Sequence, residues 1–413
     1  MNKIRRLALL GSSLVMLAGP VSAEPLKIAM IESLSGPTAV TALGFFNGWR
    51  YGIAKLNEQG GFNGAKIEVL EYDNQGGPAG ASDKLKLAIS EGAVVIASAT
   101  SSAITAQLAE DVRKYNLRNP GKELIYLNLG SDSKQLLGPR CHFWFFKVGT
   151  NVVKKYKMLI NAMKRNDLLG SRVYVINQNY SFGKEAQEAQ AEFAKEAGAE
   201  VVGTALHDMN KIQDFSPYIA QIKASGADTV LTANWGTDIV LLLRAAADAG
   251  LKVRFATNSI DTPGTLSSAG KAALGSTMVK PWNLEAGGES GAAFNEDFKK
   301  LIGAYPATDE ATSAYGILVL GEALRQVDFK GGPIRTKDIA LAFEKATWKS
   351  PLGTLRVRAE DHEITIPVTA SLVSEDAKFK HDGTNMGFKL LAALSPEEAE
   401  LPPDPACKIE RPQ

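Results

Sequence analysis

Three consecutive hydroxyl residues, Thr100-Ser101-Ser102, stand between a short apolar run, Val94-Val95-Ile96-Ala97, and a stretch that places Ile104, Leu108 and Val112 four residues apart. The run suits a strand buried on both faces of a parallel sheet. The spacing after it predicts an amphipathic helix. Hydroxyls at that junction cap the helix, and the free amides of a first helical turn also receive a small anion. Both readings stay open from these residues alone.

Other residues able to do chemistry do not form recognisable sets. His142, His207, His362 and His381 are scattered with no metal-ligand spacing, which suits local hydrogen bonding; no metal and no cofactor are expected. There is no G-x-G-x-x-G after the first predicted strand, no P-loop, no H-E-x-x-H and no G-x-S-x-G elbow. The pattern S-x-x-K occurs at Ser131 to Lys134 and Ser181 to Lys184, among other places, without an S-D-N or K-T-G partner. No enzyme is predicted; a secreted one would have to use Ser131 or Ser181 as nucleophile.

The elements that must position these residues alternate regularly. Leu26 to Ile31 reads as the first strand, followed by the hydroxyl-rich turn Ser33-Leu34-Ser35-Gly36-Pro37-Thr38 and a helix with Phe45, Trp49, Ile53 and Leu56 on one side. Lys66 to Tyr72, Val94 to Ala97 and Leu124 to Leu127 are further strands. A second batch begins at Val173 to Ile176 and continues through Val201-Val202, Thr229 to Leu231 and Phe255-Ala256. Strand and helix in alternation argue for an α/β fold with parallel sheets, and two batches argue for two doubly wound lobes. Ligands of such sheets sit outside the carboxyl ends of strands, where Ser35, Thr100, Ser131, Tyr180 and Trp235 fall.

Lys3, Arg5 and Arg6, the apolar run Leu7 to Leu17 and the small-residue site Val21-Ser22-Ala23 form an export signal, so residues 1–23 are expected to be removed. Their loss takes three positive charges from a formal net charge of +1, leaving −2. That balance gives no reason to expect a nucleic-acid partner or an anionic membrane surface. Export also permits a disulfide between Cys141 and Cys407, the two cysteines. The pairing would tie the tail containing Pro402, Pro403 and Pro405 to the body; two unpaired thiols are the alternative.

Several stretches together resemble the periplasmic substrate-binding proteins of ABC transporters, in the branched-chain amino acid (leucine/isoleucine/valine) class. They are Ser35-Gly36-Pro37, Asn57-Glu58-Gln59-Gly60-Gly61-Phe62-Asn63-Gly64, Tyr72-Asp73-Asn74, Asp214-Phe215-Ser216 and Gly226-Ala227-Asp228-Thr229-Val230. The similarity runs from about Leu26 to Leu390. It implies a bilobal fold whose lobes, joined by a three-segment hinge, close on one small solute in the periplasm and deliver it to an inner-membrane permease, as a monomer. The implied lobes are 24–148 plus 278–352 and 149–277 plus 353–393, with a tail at 394–413. The crossings would lie near Val148-Gly149, Thr277 to Lys280 and Leu352 to Leu355.

The resemblance also carries the binding positions. The loop that receives the solute's carboxylate falls on Ala99, Thr100 and Ser101, and its companion on Leu129, Gly130 and Ser131. From the other lobe come Phe182 and Trp235, while Trp282 either lines the cleft or packs in the hinge. Amino-acid binders of this class place an acid where this chain has Ser259, with Asp261 two residues on. A buried ammonium without a carboxylate is costly. Either Asp261 takes that role, or the solute lacks an ammonium and is an aromatic acid or short amide. A ligand sensor on the same fold is a further alternative.

Overall fold

The computed structural model describes residues 25–412 except 150, 330 and 331, so the predicted export signal lies outside the described residues. Chain order builds a first lobe from β1 (Lys27–Glu32), α1 (Ala39–Glu58), β2 (Glu68–Asp73), α2 (Pro78–Ser90), β3 (Val95–Ser98), α3 (Ser102–Arg118), β4 (Ile125–Asn128) and β5 (Phe145–Val148). A second lobe comes next, with α4 (Val152–Arg165), β6 (Arg172–Gln178), α5 (Ser181–Glu196), β7 (Glu200–His207), α6 (Ser216–Ser225), β8 (Thr229–Leu231), α7 (Thr237–Asp248), β9 (Arg254–Thr257), α8 (Thr265–Ala269) and β10 (Thr277–Lys280). The chain returns to the first lobe with α9 (Gly288–Ile302), α10 (Thr308–Arg325), α11 (Thr336–Phe343), the hairpin β11 (Thr347–Ser350) and β12 (Gly353–Arg356), and β13 (Glu363–Ile364). It ends in the second with β14 (Val368–Ser374) and β15 (Gly387–Leu394).

The first sheet has the order β13-β5-β4-β3-β1-β2 and is parallel throughout. Its central strand β3 is buried at all four positions, as an unbroken apolar run requires, whereas the edge strand β2 exposes Glu68 and Glu71. The second sheet, β15-β14-β10-β9-β8-β6-β7, departs from the all-parallel expectation. Strand β14 runs antiparallel to both β10 and β15. The twelve-residue connection 375–386 forms no crossover helix, and without one a returning strand pairs antiparallel.

Two of the three crossings come later in the chain than implied, the second by only a few residues. Strand β10 belongs wholly to the second sheet, so the second crossing comes after Lys280. Pro351 and Leu352 turn the β11–β12 hairpin, closed by the Ser350 hydroxyl donating to the Gly353 carbonyl at 2.7 Å. The third crossing lies between β13 and β14 instead. A Pro-Leu-Gly turn and a chain crossing look alike in sequence, because each interrupts an apolar pattern with the same residue types. The crossings run side by side: Gly149 donates its amide to the Ile364 carbonyl at 3.4 Å, and the Thr369 hydroxyl to the Lys280 carbonyl at 2.9 Å.

Helix α10 is buried along most of its length and packs on α1 through glycines. A Cβ at Gly48 would collide with the Glu310 carbonyl, one at Gly52 would lie 2.7 Å from Ile317, and one at Gly321 would strike Leu56. This close approach fixes the amino end of α10 beside the cleft. The tail is strapped to the first lobe. Cys141 and Cys407 are disulfide-bonded with Cα atoms 5.5 Å apart, Arg358 donates to the Leu401 carbonyl, and Arg411 pairs with Glu344.

Candidate functional site

Strand ends from both lobes meet in a cavity of about 70 Å³ between them. Lobe one supplies Thr41 and Phe45 of α1, the β3–α3 junction from Ala99 to Ser102, Gly130 to Asp132 after β4, and Asp309 of α10. Lobe two supplies Lys155 of α4, Tyr180 and Phe182 at the start of α5, Trp235, Asn258 and Ser259, and Lys280 at the end of β10. Of the sequence candidates, Ala99, Thr100, Ser101, Gly130, Ser131, Phe182, Trp235 and Ser259 line this cavity.

The anion cradle differs from expectation, because the chain fills part of it itself. Glu32, the last residue of β1, is fully buried. Its carboxylate accepts the amides of Ala99 and Thr100, the latter at 3.0 Å, and the Thr100 hydroxyl. Pairing of Met30 with Ala97 in the sheet carries Glu32 to this loop. Burial pushes its carboxyl up to about 7, against the opposing pull of those donors. Beyond these two amides, Ser101 and Ser102 line the cavity, and the first-turn amides of α3 have no intrahelical acceptor. Ser101 holds a φ of +67° and its side chain makes no capping bond, so it does not act as the helix cap that the sequence allowed.

Ser131 is spent on architecture. Its hydroxyl donates to the Ala99 carbonyl at 2.7 Å and meets the Thr105 hydroxyl at 2.7 Å, stitching the two lobe-one loops together. Gly130 leaves room for a ring, since a Cβ there would collide with the edge of Phe45. Across the cleft, the Trp235 indole donates to the Tyr180 hydroxyl at 2.8 Å, and Phe182 lies beside Tyr180 at 5.8 Å between ring centroids. The lobe-two wall is thus largely aromatic, while lobe one combines hydroxyls and amides with the Phe45 ring.

Three candidates are not in the cavity wall. Leu129 is a core side chain, packed where a Cβ on Gly316 would meet it at 2.6 Å. Trp282 is 1% exposed, donates to Asn295 at 3.2 Å and packs against Phe294 and Tyr315, because α9 and α10 close over the chain as it re-enters lobe one. Asp261 opens into a separate small cavity beside Trp282 and His381.

Of the charges, sequence reasoning weighed only Asp261. Lys155 pairs with Asp132 across the cleft. Lys280 lies 2.7 Å from Asp309 and 3.3 Å from Asp261. Burial opposes the Lys280 charge, but the two carboxylates outweigh it and hold its ammonium above the usual lysine range. Burial pushes Asp309 up against the pull of Lys280. Glu185 of α5 accepts the Ser133 hydroxyl at 2.7 Å and the Lys134 amide at 2.6 Å, also from lobe to lobe. A charged residue at the carboxyl end of an apolar run, as in Ile31-Glu32 and Val279-Lys280, was the available signal. Among the described residues no group of His, Cys, Asp and Glu could hold a metal ion.

Two lobes closed over a cavity at the strand ends, with charges of both signs and an aromatic wall, define a protein that encloses a small solute. Residues 25–378 match the Periplasmic binding protein family, and the chain belongs to it. It is 47% identical over 395 residues to the Leu/Ile/Val-binding protein homolog 4 of Brucella melitensis, covering 96% of this chain and 95% of that relative. The crystal structure of a leucine-, isoleucine-, valine-, threonine- and alanine-binding protein from Brucella ovis, in a closed conformation, superposes with a TM-score of 0.89 at 48% identity, covering 94% of this chain and all of that one. A solute-binding protein of an ABC transporter from R. palustris in complex with benzoate has a TM-score of 0.77 at 18% identity, covering 91% and 99%, which is a likeness of fold alone. No helix among the described residues is long and apolar enough to cross a membrane.

Proposed function

We propose that this chain is the exported solute-binding component of an ABC importer, and that it captures a small aliphatic α-amino acid in the periplasm and hands it to an inner-membrane permease. The observation that carries the reading is the composition of the closed cavity. It joins first-turn amides and hydroxyls at Ser101 and Ser102 with buried carboxylates and an apolar wall of Phe45, Phe182 and Trp235. An amino acid presents the matching three parts: a carboxylate, an ammonium and an apolar side chain. The near-full-length relatives whose names specify leucine, isoleucine and valine support the same class. Hinge closure, favoured by a solute that touches both lobes, traps it.

A thermal-shift screen of the mature protein, freed of co-purified solute, tests this. The panel holds leucine, isoleucine, valine, polar amino acids, amides and benzoate-type acids. A solute at a thousandfold excess over its Kd adds about 4 kcal/mol of stability. Large shifts with the aliphatic amino acids are expected; shifts with aromatic acids only would overturn the reading.

A further inference from the structure

Ser259, where the resemblance implies an acid, lines the cavity without a charge, so an ammonium in the solute would have no counter-charge at that point. Two buried ion-pair groups lie in or against the cleft: Asp132 with Lys155, and Asp261 and Asp309 with Lys280 between them. Asp132 and Lys155 balance one to one. Asp261 and Asp309 share a single lysine, which leaves one negative charge over.

Geometry decides where that charge is available. Asp261 has 4% of its side chain exposed, neither of its oxygens accepts a hydrogen bond, and it faces the separate cavity beside Trp282. It touches the cleft only through Lys280. Asp309 lines the cleft with 17% of its side chain exposed, against 10% for Asp132. One of its oxygens, Oδ1, takes Lys280 at 2.7 Å. The residue is held rigidly in the first turn of α10, where Thr308 bonds the Trp282 carbonyl at 3.1 Å and Glu310 accepts the Ala307 amide at 2.6 Å.

We infer that Asp309, supplied by α10 of lobe one, is the counter-charge for the solute's ammonium and the residue that selects amino acids over simple carboxylic acids. Lys280 steers this selection from the hinge: it bonds Oδ1 of Asp309 and lies 3.3 Å from Asp261, so it fixes the Asp309 carboxylate and leaves its other oxygen to the solute. The inference rests on the proposal that the solute is an amino acid.

Isothermal titration with L-leucine and with isocaproate, which is leucine without its amine, tests it on the mature protein. The wild type is expected to prefer leucine by at least about a hundredfold, the usual scale for a buried charge partner. Asp309→Asn is expected to weaken leucine by about a hundredfold while isocaproate binds as well as before or better, a change of selectivity that general loosening of the cleft would not give. Asp309→Ser serves the same comparison if the first variant does not fold. A wild type that binds no amino acid overturns the functional reading, and this inference with it. A wild type that binds leucine while both folded variants stay within threefold of it, or one that binds isocaproate as tightly as leucine, overturns the role of Asp309 alone.

Discussion

Glu32 and Thr100 are bonded twice, the carboxylate of the first accepting both the amide and the hydroxyl of the second, so a side chain of the protein occupies donors that the strand-loop-helix junction would otherwise offer to a solute. The junction is preformed as a result. The Ala99 and Thr100 amides are satisfied before any solute arrives, and Ser101 is held at its positive φ by the residues on either side.

The raised Glu32 carboxyl makes stability depend on pH. An acid whose pKa is higher in the folded state binds more protons there than in the unfolded chain, so its contribution is full below pH 4.5 and is lost as pH rises towards 7. The loss is about 3 kcal/mol at this shift. Glu310, also raised to about 7 by burial, acts in the same direction, and His142, lowered to about 4 by burial, acts oppositely. Urea unfolding of wild type and Glu32→Gln across pH 4.5 to 7 isolates the term. The wild type is expected to lose stability relative to the variant as pH rises, and parallel curves would contradict this.

Glu185 joins the lobes through Ser133 and the Lys134 amide without lining the cavity. Hydrogen bonds to a charged group contribute about 1.5–3 kcal/mol each. Glu185→Ala is expected to favour the open form, raising the Kd for a bound amino acid about tenfold or more with little change in unfolding temperature. Calorimetry and small-angle scattering of the solute-free protein would show the two effects together.

Trp235 forms part of the aromatic wall and donates to Tyr180. Trp235→Ala removes apolar contact and leaves the Tyr180 hydroxyl without that donor, so affinity should fall by more than tenfold. Unchanged affinity would take Trp235 out of the site.

The disulfide closes a sequence separation of 266 residues. Cys141→Ser with Cys407→Ser should cost about 2–4 kcal/mol of stability, with about 5 as the ceiling of the chain-entropy model. Limited proteolysis should then cut the tail after Leu394, while solute affinity stays as in the wild type, since neither cysteine borders the cavity.

The parts of the fold that rest on local pattern were readable. The Val94 to Ala97 run, the stripe of Ile104, Leu108 and Val112, and the strand-end hydroxyls of the β3–α3 junction lie where periodicity put them. What could not be read depends on packing between distant segments. Asp309 reaches the cavity because glycines of α1 let α10 approach, and Glu32 reaches Thr100 because β1 pairs with β3. For Trp282 the sequence left cleft lining and hinge packing open, and two later helices enclose it. The aromatic wall was partly legible, in Phe182 and Trp235, because both come directly after polar strand ends.

The polar contacts that span the cleft bear on time as well as affinity. Asp132 with Lys155, Glu185 with Ser133 and Asp309 with Lys280 all have to part before the lobes separate. The three chain crossings, bonded side by side, make that separation one concerted swing. The protein's own charges therefore add to the barrier against opening, and the dwell time of a captured solute is expected to shorten as salt rises, measured by stopped-flow release.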